Sequence, residues 1–290
     1  MTTRRCALSI GLAVLLGGCG TAQPVTPSVG VTAFLGVKAS PAHAQGPCVY
    51  LLGTTAASDL SHMRLTAPNC YVYINDTANM SYSTIKAAKI LYAGTVPNET
   101  GARFPEATPA PALVISDPCP TIRGCAYLLK HPPATSGCSP GYFYKGGQTI
   151  GGPGQVTCFS DLTISGSNQT ICGLIEITGS QLHVNNSSVS SCSSGVTFAL
   201  SSNTDDTNFS SATLTLSPPG AGKYKGVLFY RVASQSAGID FSTCTCNFAG
   251  VLYFPKTTVN YAHSGGKYQL LIFGQANFSN AANLRLGNPP

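Results

Sequence analysis

Charged residues are scarce in this chain. They make up 9% of its 290 residues, whereas soluble globular domains typically contain about 25%. Helical proteins usually cover their outer faces with Glu, Lys and Arg, so the composition argues against a mainly helical fold. Hydrophobic residues reach 43%, which excludes a disordered polar chain. The surface must therefore be solvated by Ser, Thr, Asn, Gln and Gly, which suit the exposed faces and tight corners of stacked β-coils.

A concentrated basic stripe is also missing from the sequence. The net charge is +6, and without the first 18 residues it falls to +4, from 14 Lys and Arg against 10 Asp and Glu. The remaining basic residues are scattered singly along the chain, and Lys223 and Lys225 come nearest to a pair. Nucleic-acid binding usually needs a clustered basic patch, so we expect no nucleic-acid partner.

The usual signals of catalytic and metal sites are absent. No His pair has metal-ligand spacing, and no G-x-S-x-G elbow marks a Ser-His-Asp hydrolase. Asp205 and Asp206 are the only adjacent acids, in a context that predicts a turn. Glycan cleavage needs two acids close together across a sugar bond, and Asp161, Glu176 and Asp240 lie on other predicted coils that could converge. We assign no catalytic residue, no metal ligand and no cofactor.

Five similar apolar segments recur in the second half of the chain. Their first residues are 22, 31, 24 and 19 positions apart, with Ser-, Asn- and Gly-rich stretches between them. A motif that returns at about one coil length is typical of a solenoid. We therefore predict an all-β fold, a right-handed parallel β-helix (solenoid) with a Pro-rich loop excursion. The five segments are residues 173–177, 195–200, 226–230, 250–255 and 269–274.

The compact part of the chain begins near Cys48. Residues 48–52 and 70–75 predict strands from their apolar content and alternation. Residues 82–92 fit either a short helix or a strand, and we favour the strand. At the other end of the chain, residues 281–286 are predicted to form the final rung.

Nine prolines accumulate between residues 96 and 140. Proline at this density excludes central strands and favours extended, loop-like chain. We predict a β-helix domain over residues 47–290 with a Pro-rich insertion at about residues 96–140. The insertion would act as a lid or as a linker between two blocks of coils.

The first residues of the chain resemble an export signal. Arg4 and Arg5 precede an apolar run over residues 6–16, which is too short to span a bilayer. We therefore predict a signal peptide of lipoprotein type over residues 1–18, and an extracytoplasmic location.

Two cleavage sites are compatible with this leader. Leu-Gly-Gly-Cys at residues 16–19 looks like a bacterial lipobox, which makes Cys19 the predicted lipidation site and residues 19–46 a flexible tether. The protein would then be lipid-anchored to the bacterial envelope. Cleavage after Ala44 would instead leave it secreted or periplasmic, and an uncleaved anchor is the third alternative.

Ten cysteines follow the leader, and an even number in an exported chain predicts disulfides. Cys48 and Cys70 lie 22 residues apart, about one coil, so they could bridge neighbouring coils. The disulfide candidates are Cys48, Cys70, Cys119, Cys125, Cys138, Cys158, Cys172, Cys192, Cys244 and Cys246.

Other cysteines lie closer together. Cys119 with Cys125, and Cys158 with Cys172, are plausible local loops, although the sequence leaves the connectivity open. The Cys-Thr-Cys motif at residues 244–246 places two thiols on one face of a strand. No second pair or suitably spaced His completes a zinc site there, so we favour a disulfide or buried thiols.

Asn-x-Ser/Thr sequences occur eight times. Behind a lipobox-like leader we interpret them as products of Asn-rich β-coils, in which stacked Asn side chains form hydrogen-bonded ladders. Aromatic residues also recur at matching places in the repeats, and we favour core packing over a sugar-binding cleft for them. The aromatic residues are Phe229, Tyr230, Tyr253, Phe254 and Phe273.

Six short segments carry a resemblance to a known family: residues 48–52, 69–75, 116–119, 195–200, 224–230 and 250–255. Spread over about residues 48–275, they resemble the repetitive C-terminal region of TadG-like proteins, which are associated with the tight-adherence (Flp) pilus assembly system. The resemblance implies a secreted β-solenoid in an envelope or adhesion context, and it supplies no catalytic residues. TadG-like proteins typically begin with a pilin-like transmembrane segment, whereas this chain has a cleavable-looking leader.

These features predict a non-enzymatic exported envelope protein, structural or adhesive, associated with tight-adherence pilus assembly. Its expected partners are envelope or pilus components, or surface glycans, and it would contact the membrane through a lipid anchor only. The alternative is a carbohydrate-active β-helix, either a lyase, a hydrolase or a glycan-binding protein. Acids and a basic residue lining one groove would favour that alternative.

Overall fold

The computed structural model describes residues 47–54, 57–95, 97–134, 136–233, 235–261, 267–268, 270–278 and 284–286. Within these ranges nearly all regular structure is β, joined by one short 3-10 helix (Cys119–Thr121) and one α-helix, α1 (Arg123–Lys130). The strands are β1 (Pro47–Leu51), β2 (Ser58–Asp59), β3 (Arg64–Ile74), β4 (Ala78–Asn79), β5 (Thr84–Tyr92), β6 (Pro109–Pro111), β7 (Ser139–Phe143), β8 (Thr149–Ile164), β9 (Gln169–Ile177), β10 (Gln181–Val184), β11 (Ser188–Leu200), β12 (Asp206–Asn208), β13 (Thr213–Leu216), β14 (Val227–Tyr230), β15 (Gln235–Asp240), β16 (Thr245–Phe248), β17 (Val251–Asn260), β18 (Lys267–Tyr268), β19 (Leu270–Asn277) and β20 (Leu284–Leu286).

The strands stack in parallel to form a β-solenoid of about 10 turns. Each coil contributes three segments, and equivalent segments pair from coil to coil, so three sheets run along the stack. Sheet 1 contains β10, β12, β15, β2, β4 and the last parts of β8, β17 and β19. Sheet 2 contains β13, β16, β18, β20 and the first parts of β8, β9, β11, β3 and β5. Sheet 3 contains β1, β14, β6 and the remaining parts of the long strands. The predicted all-β parallel β-helix is confirmed.

Four of the five recurrent segments of sheet 3 begin with a glycine, because the corner before them needs a left-handed backbone. Gly173 and Gly195 have φ angles of +78° and +81°, a region that side chains disfavour. A β-carbon at Gly173 would also collide with the carbonyl oxygens of Gly152 and Gln155. The five recurrent segments of the sequence are therefore five successive sheet 3 segments, each entered through a corner.

The interior of the coils holds one continuous apolar core. In sheet 3, Phe198, Phe229 and Leu252 occupy one register on successive coils and all belong to that core. The rings of Phe198 and Phe229 stack with their centroids 4.9 Å apart. Phe254 and Phe273 lie in the same core. Core packing therefore explains the recurrence of these phenylalanines.

The coils do not stack in the order of the sequence. Strand β1, the first described strand, pairs with β19, with Val49 opposite Leu271. On the next side of the same coil Asp59 pairs with Asn277. Strand β20 was expected to be the final rung, but it lies inside the stack because β18 pairs with one edge of it and β3 with the other. The N-terminal coils thus continue the stack beyond the C-terminal coil.

A connection along the outside makes this order possible. From β1, in the middle of the stack, the chain winds to one end at β6 and resumes at the other end with β7. Residues 112–138, which we call the strap, join these two ends. Both terminal strands contain proline, at Pro109, Pro111 and Pro140, which has no N–H to offer to another strand and so blunts an exposed edge.

The strap contains an α-helix that the sequence analysis did not predict. Helix α1 occupies the stretch of the insertion without proline, and its buried residues include Gly124 and Leu128. A β-carbon at Gly124 would meet the backbone of Tyr224 and Lys225, so the helix packs directly against the chain entering β14. Tertiary packing therefore forms a helix that the surrounding prolines do not suggest.

The strap covers a second apolar core on the outer face of sheet 3. Tyr50, Tyr230, Tyr253 and Ile272 alternate with the interior residues and belong to this outer core, together with Leu128 of α1. Tyr230 and Tyr253 stack with centroids 5.3 Å apart. The second half of the recurrent aromatic pattern is therefore also packing, but outside the coil.

Residues 1–46 lie outside the described residues, and with them the predicted signal peptide, the lipidation site Cys19 and the tether. In the part of the chain that the structure describes, no helix is both long and apolar enough to cross a membrane.

The corner glycines give a direct test of the coil geometry. Gly173→Ala should lower the free energy of unfolding by about 1–3 kcal/mol, because alanine must hold a positive φ and displace the Gly152 backbone. At Gly220 a β-carbon would have no heavy atom within 4 Å, so Gly220→Ala should change stability by less than about 0.5 kcal/mol. Urea unfolding followed by far-UV circular dichroism measures both. Equal effects of the two variants would contradict the assigned corner.

Candidate functional site

The ten candidate cysteines lie in five close pairs, with Cα–Cα distances of 5.2–5.6 Å. Such distances suit disulfide bonds. Three pairs join neighbouring coils, one closes the start of α1, and one lies within a single corner. The pairs are Cys48–Cys70, Cys138–Cys158, Cys172–Cys192, Cys119–Cys125 and Cys244–Cys246.

The pairing of Cys158 with Cys172, which the sequence suggested, is wrong. Cys158 pairs with Cys138 and Cys172 pairs with Cys192, each at a separation of 20 residues. One coil of this region is about 20 residues long, so these partners lie directly above one another. Cys158 and Cys172, 14 residues apart, fall on different sides of the coil, and Glu176 is the residue opposite Cys158.

Two of the candidate acids, Asp161 and Asp206, lie in one row of sheet 1. Asp206 lies opposite Gln181, and Asp161 precedes Leu162, which lies opposite Leu182. Asp161, Gln181 and Asp206 therefore form one row across three coils, with the two acids about 9.6 Å apart along the stack. His183 Nε2 lies 2.7 Å from Asp206 Oδ2. The structure thus brings together two acids and a histidine that the sequence could not place.

Asp161 and Asp205, the residue before Asp206, both have partners that serve the structure. Asp161 Oδ1 accepts hydrogen bonds from the backbone N–H of Ser180 and of Gln181, both at 2.9 Å. Asp205 Oδ1 lies 3.5 Å from the guanidinium of Arg231, whose side chain is fully buried. Burial lowers the pKa of Arg231, and the charge of Asp205 acts in the opposite direction. These contacts stabilise the turns that precede β10, β12 and β15.

The other two candidate acids lie elsewhere. Asp240 accepts a 2.7 Å hydrogen bond from the backbone N–H of Ser242. Glu176 lies on sheet 3 near the end of the strap. Burial raises the pKa of Glu176, whereas a backbone hydrogen bond from Ala134 and the charge of Lys223 lower it. Across the described residues, no group of three or more His, Cys, Asp or Glu side chains is placed to hold a metal ion.

A ladder of Asn and Asp side chains runs along sheet 1. Asn79 Nδ2 donates to Asp59 Oδ1 at 3.3 Å, and Asn98 Nδ2 donates to Asn79 Oδ1 at 3.2 Å. Asp59 and Asn79 also accept from the backbone N–H two residues later, as Asx turns do. Four of the eight Asn-x-Ser/Thr sequences lie in this row, which agrees with the ladder interpretation for those four, whereas Asn75, Asn168, Asn185 and Asn186 lie outside it. The row comprises Asn208, Asp240, Asn260, Asn277, Asp59, Asn79 and Asn98.

Sheet 2 aligns basic residues that appear scattered in the sequence. Arg64 lies opposite Thr84, which lies opposite Arg103. In the neighbouring row Arg285 lies opposite Thr66, which lies opposite Lys86. The sequence shows that these basic residues are spaced by about one coil length. Only the register of the strands shows that they lie close together.

A cavity of about 540 Å³ opens among the loops that lead into sheet 3. Its lining is mainly apolar and backbone, and includes Leu174, Pro219, Lys223 and Tyr224. Lys223 Nζ lies 5.1 Å from the ring centroid of Tyr224 and 5.4 Å from that of Tyr127. The cation therefore has two aromatic partners.

The strap is fastened to sheet 3 by side-chain hydrogen bonds. Tyr253 OH donates to Asp117 Oδ2 at 2.6 Å. Asn75 Nδ2 donates to the Ile115 carbonyl, and Ile115 N–H donates back to Asn75 Oδ1, both at 2.9 Å. Burial raises the pKa of Tyr253, and its bond to Asp117 raises it further. The tyrosine therefore stays protonated and keeps its hydrogen to donate.

Comparisons with protein-family models, with curated proteins and with solved structures returned no match.

The strap bond can be tested against a neighbouring tyrosine. Tyr253→Phe should lower the free energy of unfolding by about 1.5–3 kcal/mol, because a partly buried hydrogen bond to a carboxylate is lost. Tyr230 is equally buried, and among the described residues its hydroxyl has no hydrogen-bond partner, so Tyr230→Phe should be neutral or stabilising. Urea unfolding and limited proteolysis of the strap measure both. A larger cost for Tyr230→Phe would contradict this assignment.

Proposed function

We propose that the protein is a non-enzymatic, exported envelope protein with a structural or adhesive role. The observation that carries this proposal is the set of five cysteine pairs in a solenoid of about 10 turns. Disulfides form and persist in oxidising, extracytoplasmic compartments and are rare in the cytosol. The leader-like first residues support the same destination.

A structural or adhesive role suits the distribution of polar groups. Most candidate acids serve turns or ladders, and the remaining polar side chains lie in long rows on the outer sheet faces. Repeat stacks expose extended surfaces of this kind to their partners. The resemblance to the repeat region of TadG-like proteins supports association with tight-adherence pili as the envelope structure concerned.

The mass of the intact protein tests export and anchoring together. Purified without reduction from its own cells, the protein should begin at Cys19 with an attached lipid and should lack two hydrogens for each cysteine pair. Cys19→Ser should move it from the membrane fraction to a soluble one, because a lipid chain is the proposed anchor. A matched leader variant, Cys6→Ser, should leave the location unchanged.

Several outcomes would contradict parts of this proposal. Recovery from the cytosol with all cysteines reduced would reject export. A mature N-terminus at Gln45 would reject the lipid anchor and favour a secreted or periplasmic protein.

A second candidate function is a carbohydrate-active β-helix. The observation that favours it is the contact between Asp206 and His183, with Asp161 in the same row. Two carboxyl groups several ångströms apart can act as acid and base across a sugar bond. The histidine beside Asp206 would hold or transfer the proton.

Loss of one acid distinguishes this candidate. If the protein cleaves polysaccharides, Asp206→Asn should reduce release of new sugar ends by about 10²-fold or more. Asp59→Asn, in the ladder on another coil, keeps the acceptor oxygen and should retain activity. Absence of cleavage on acidic and neutral polysaccharides, or full activity of Asp206→Asn, would reject the candidate.

A further inference from the structure

One outer face of sheet 2 carries a basic residue on each of several consecutive coils. Arg285, Arg64, Lys86 and Arg103 lie on four successive coils, alternating between the two adjacent rows described above. All four are exposed. Because neighbouring parallel strands lie about 4.8 Å apart, the face presents about one basic side chain per 4.8 Å along the stack. Lys267 holds the register position beside Arg285 and extends the series by one coil.

This face accounts for the net positive charge of the chain after the leader and tether. Residues 47–290 contain 13 Lys and Arg against 10 Asp and Glu, a net charge of +3. The sheet 2 segments on these coils contain five basic residues and no acidic one. The nearby acid Glu106 lies 3.2 Å from Lys86 Nζ. Among the described residues, none of the three arginines of this face lies in an ion pair.

We propose that this face binds a linear acidic polysaccharide that runs along the stack. The inference rests on the adhesive form of the proposed function and names its partner. The regular series of charges matches a polymer whose carboxylates repeat along one line. Thr66 and Thr84 lie between the basic residues in the two rows, where their hydroxyls can hydrogen-bond to sugar hydroxyls. Arginine provides paired N–H donors suited to carboxylates.

The side chains favour a polysaccharide over nucleic acid or a membrane. Single-stranded nucleic acids are held by stacking successive bases on several aromatic rings. Here the rings of His62 and Tyr82, at the corners before β3 and β5, stack on each other with centroids 5.2 Å apart. Membrane-surface binding usually inserts apolar side chains beside the basic ones, and the residues of the two rows are Arg, Lys and Thr. A pair of rings already stacked on each other beside a row of cations suits a sugar chain better than either.

Binding of alginate, a polymer of uronic acids, tests the proposal. The full-length mature protein should bind alginate at about 50 mM salt, should bind it more weakly at about 200 mM, and should not bind neutral dextran. The triple variant Arg64→Gln, Arg103→Gln, Arg285→Gln should lower the affinity about tenfold or more. The matched control Arg123→Gln, Lys130→Gln, Lys225→Gln removes the same charge from exposed positions on α1 and near β14, and should stay within about twofold of the parent.

The outcomes are distinguishable. Equal losses in the two triple variants, equal binding of dextran, or tighter binding of a DNA oligonucleotide or of phosphatidylglycerol vesicles would each overturn the proposal. Unfolding midpoints check that both triple variants fold. If a triple variant does not fold, its three single substitutions are tested instead, and each is expected to weaken binding about twofold. Loss of alginate binding with the protein still in the envelope rejects this partner and leaves the proposed function standing, whereas a cytosolic, reduced protein rejects the proposed function itself.

Discussion

The stacking of the first described coil on the last one is the constraint on which the rest of the structure depends. Because β1 pairs with β19, the chain must leave one end of the stack and restart at the other. The strap meets this demand: its 27 residues (112–138) can reach roughly 90 Å when extended, and a stack of ten coils is roughly 48 Å long. The spare length allows a helix, and sheet 3 supplies an apolar face to cover. The order of the coils, the strap and the outer core therefore depend on one another.

The sequence predicts the coil well and the order of coils poorly, for a physical reason. A coil locally requires a glycine at the corner followed by alternating apolar residues. Residues 173–177 and 195–200 can therefore be recognised from the sequence as segments of one sheet. Any coil can pair with any other through the same backbone hydrogen bonds, so nothing local distinguishes Val49 opposite Leu271 from other registers. Helix α1 was missed for a similar reason, since its stability comes from packing on sheet 3 rather than from its own residues.

The candidate sites show the same division. Cysteines one coil length apart pair as neighbours, so Cys48 and Cys70 were predictable, whereas the suggested local loop between Cys158 and Cys172 was wrong. The contact between His183 and Asp206, and the rows of basic residues in sheet 2, need a register that spacing alone does not provide. Loops of unequal length, such as the one before β14, shift the count between coils. Proximity across coils is therefore a property of the register.

The pairing of β1 with β19 also determines when the first coils can complete their stacking during synthesis. Val49 and Leu271 are neighbours in the finished protein but are made about 220 residues apart. At typical synthesis rates of about 5–20 residues per second, the first coils wait on the order of 10–40 s for the strand that covers their inner edge. Until then that edge of β1 and β3 is open to other strands. A cell that makes this protein must therefore keep the first coils of different copies from pairing with one another until the last coils have been synthesised.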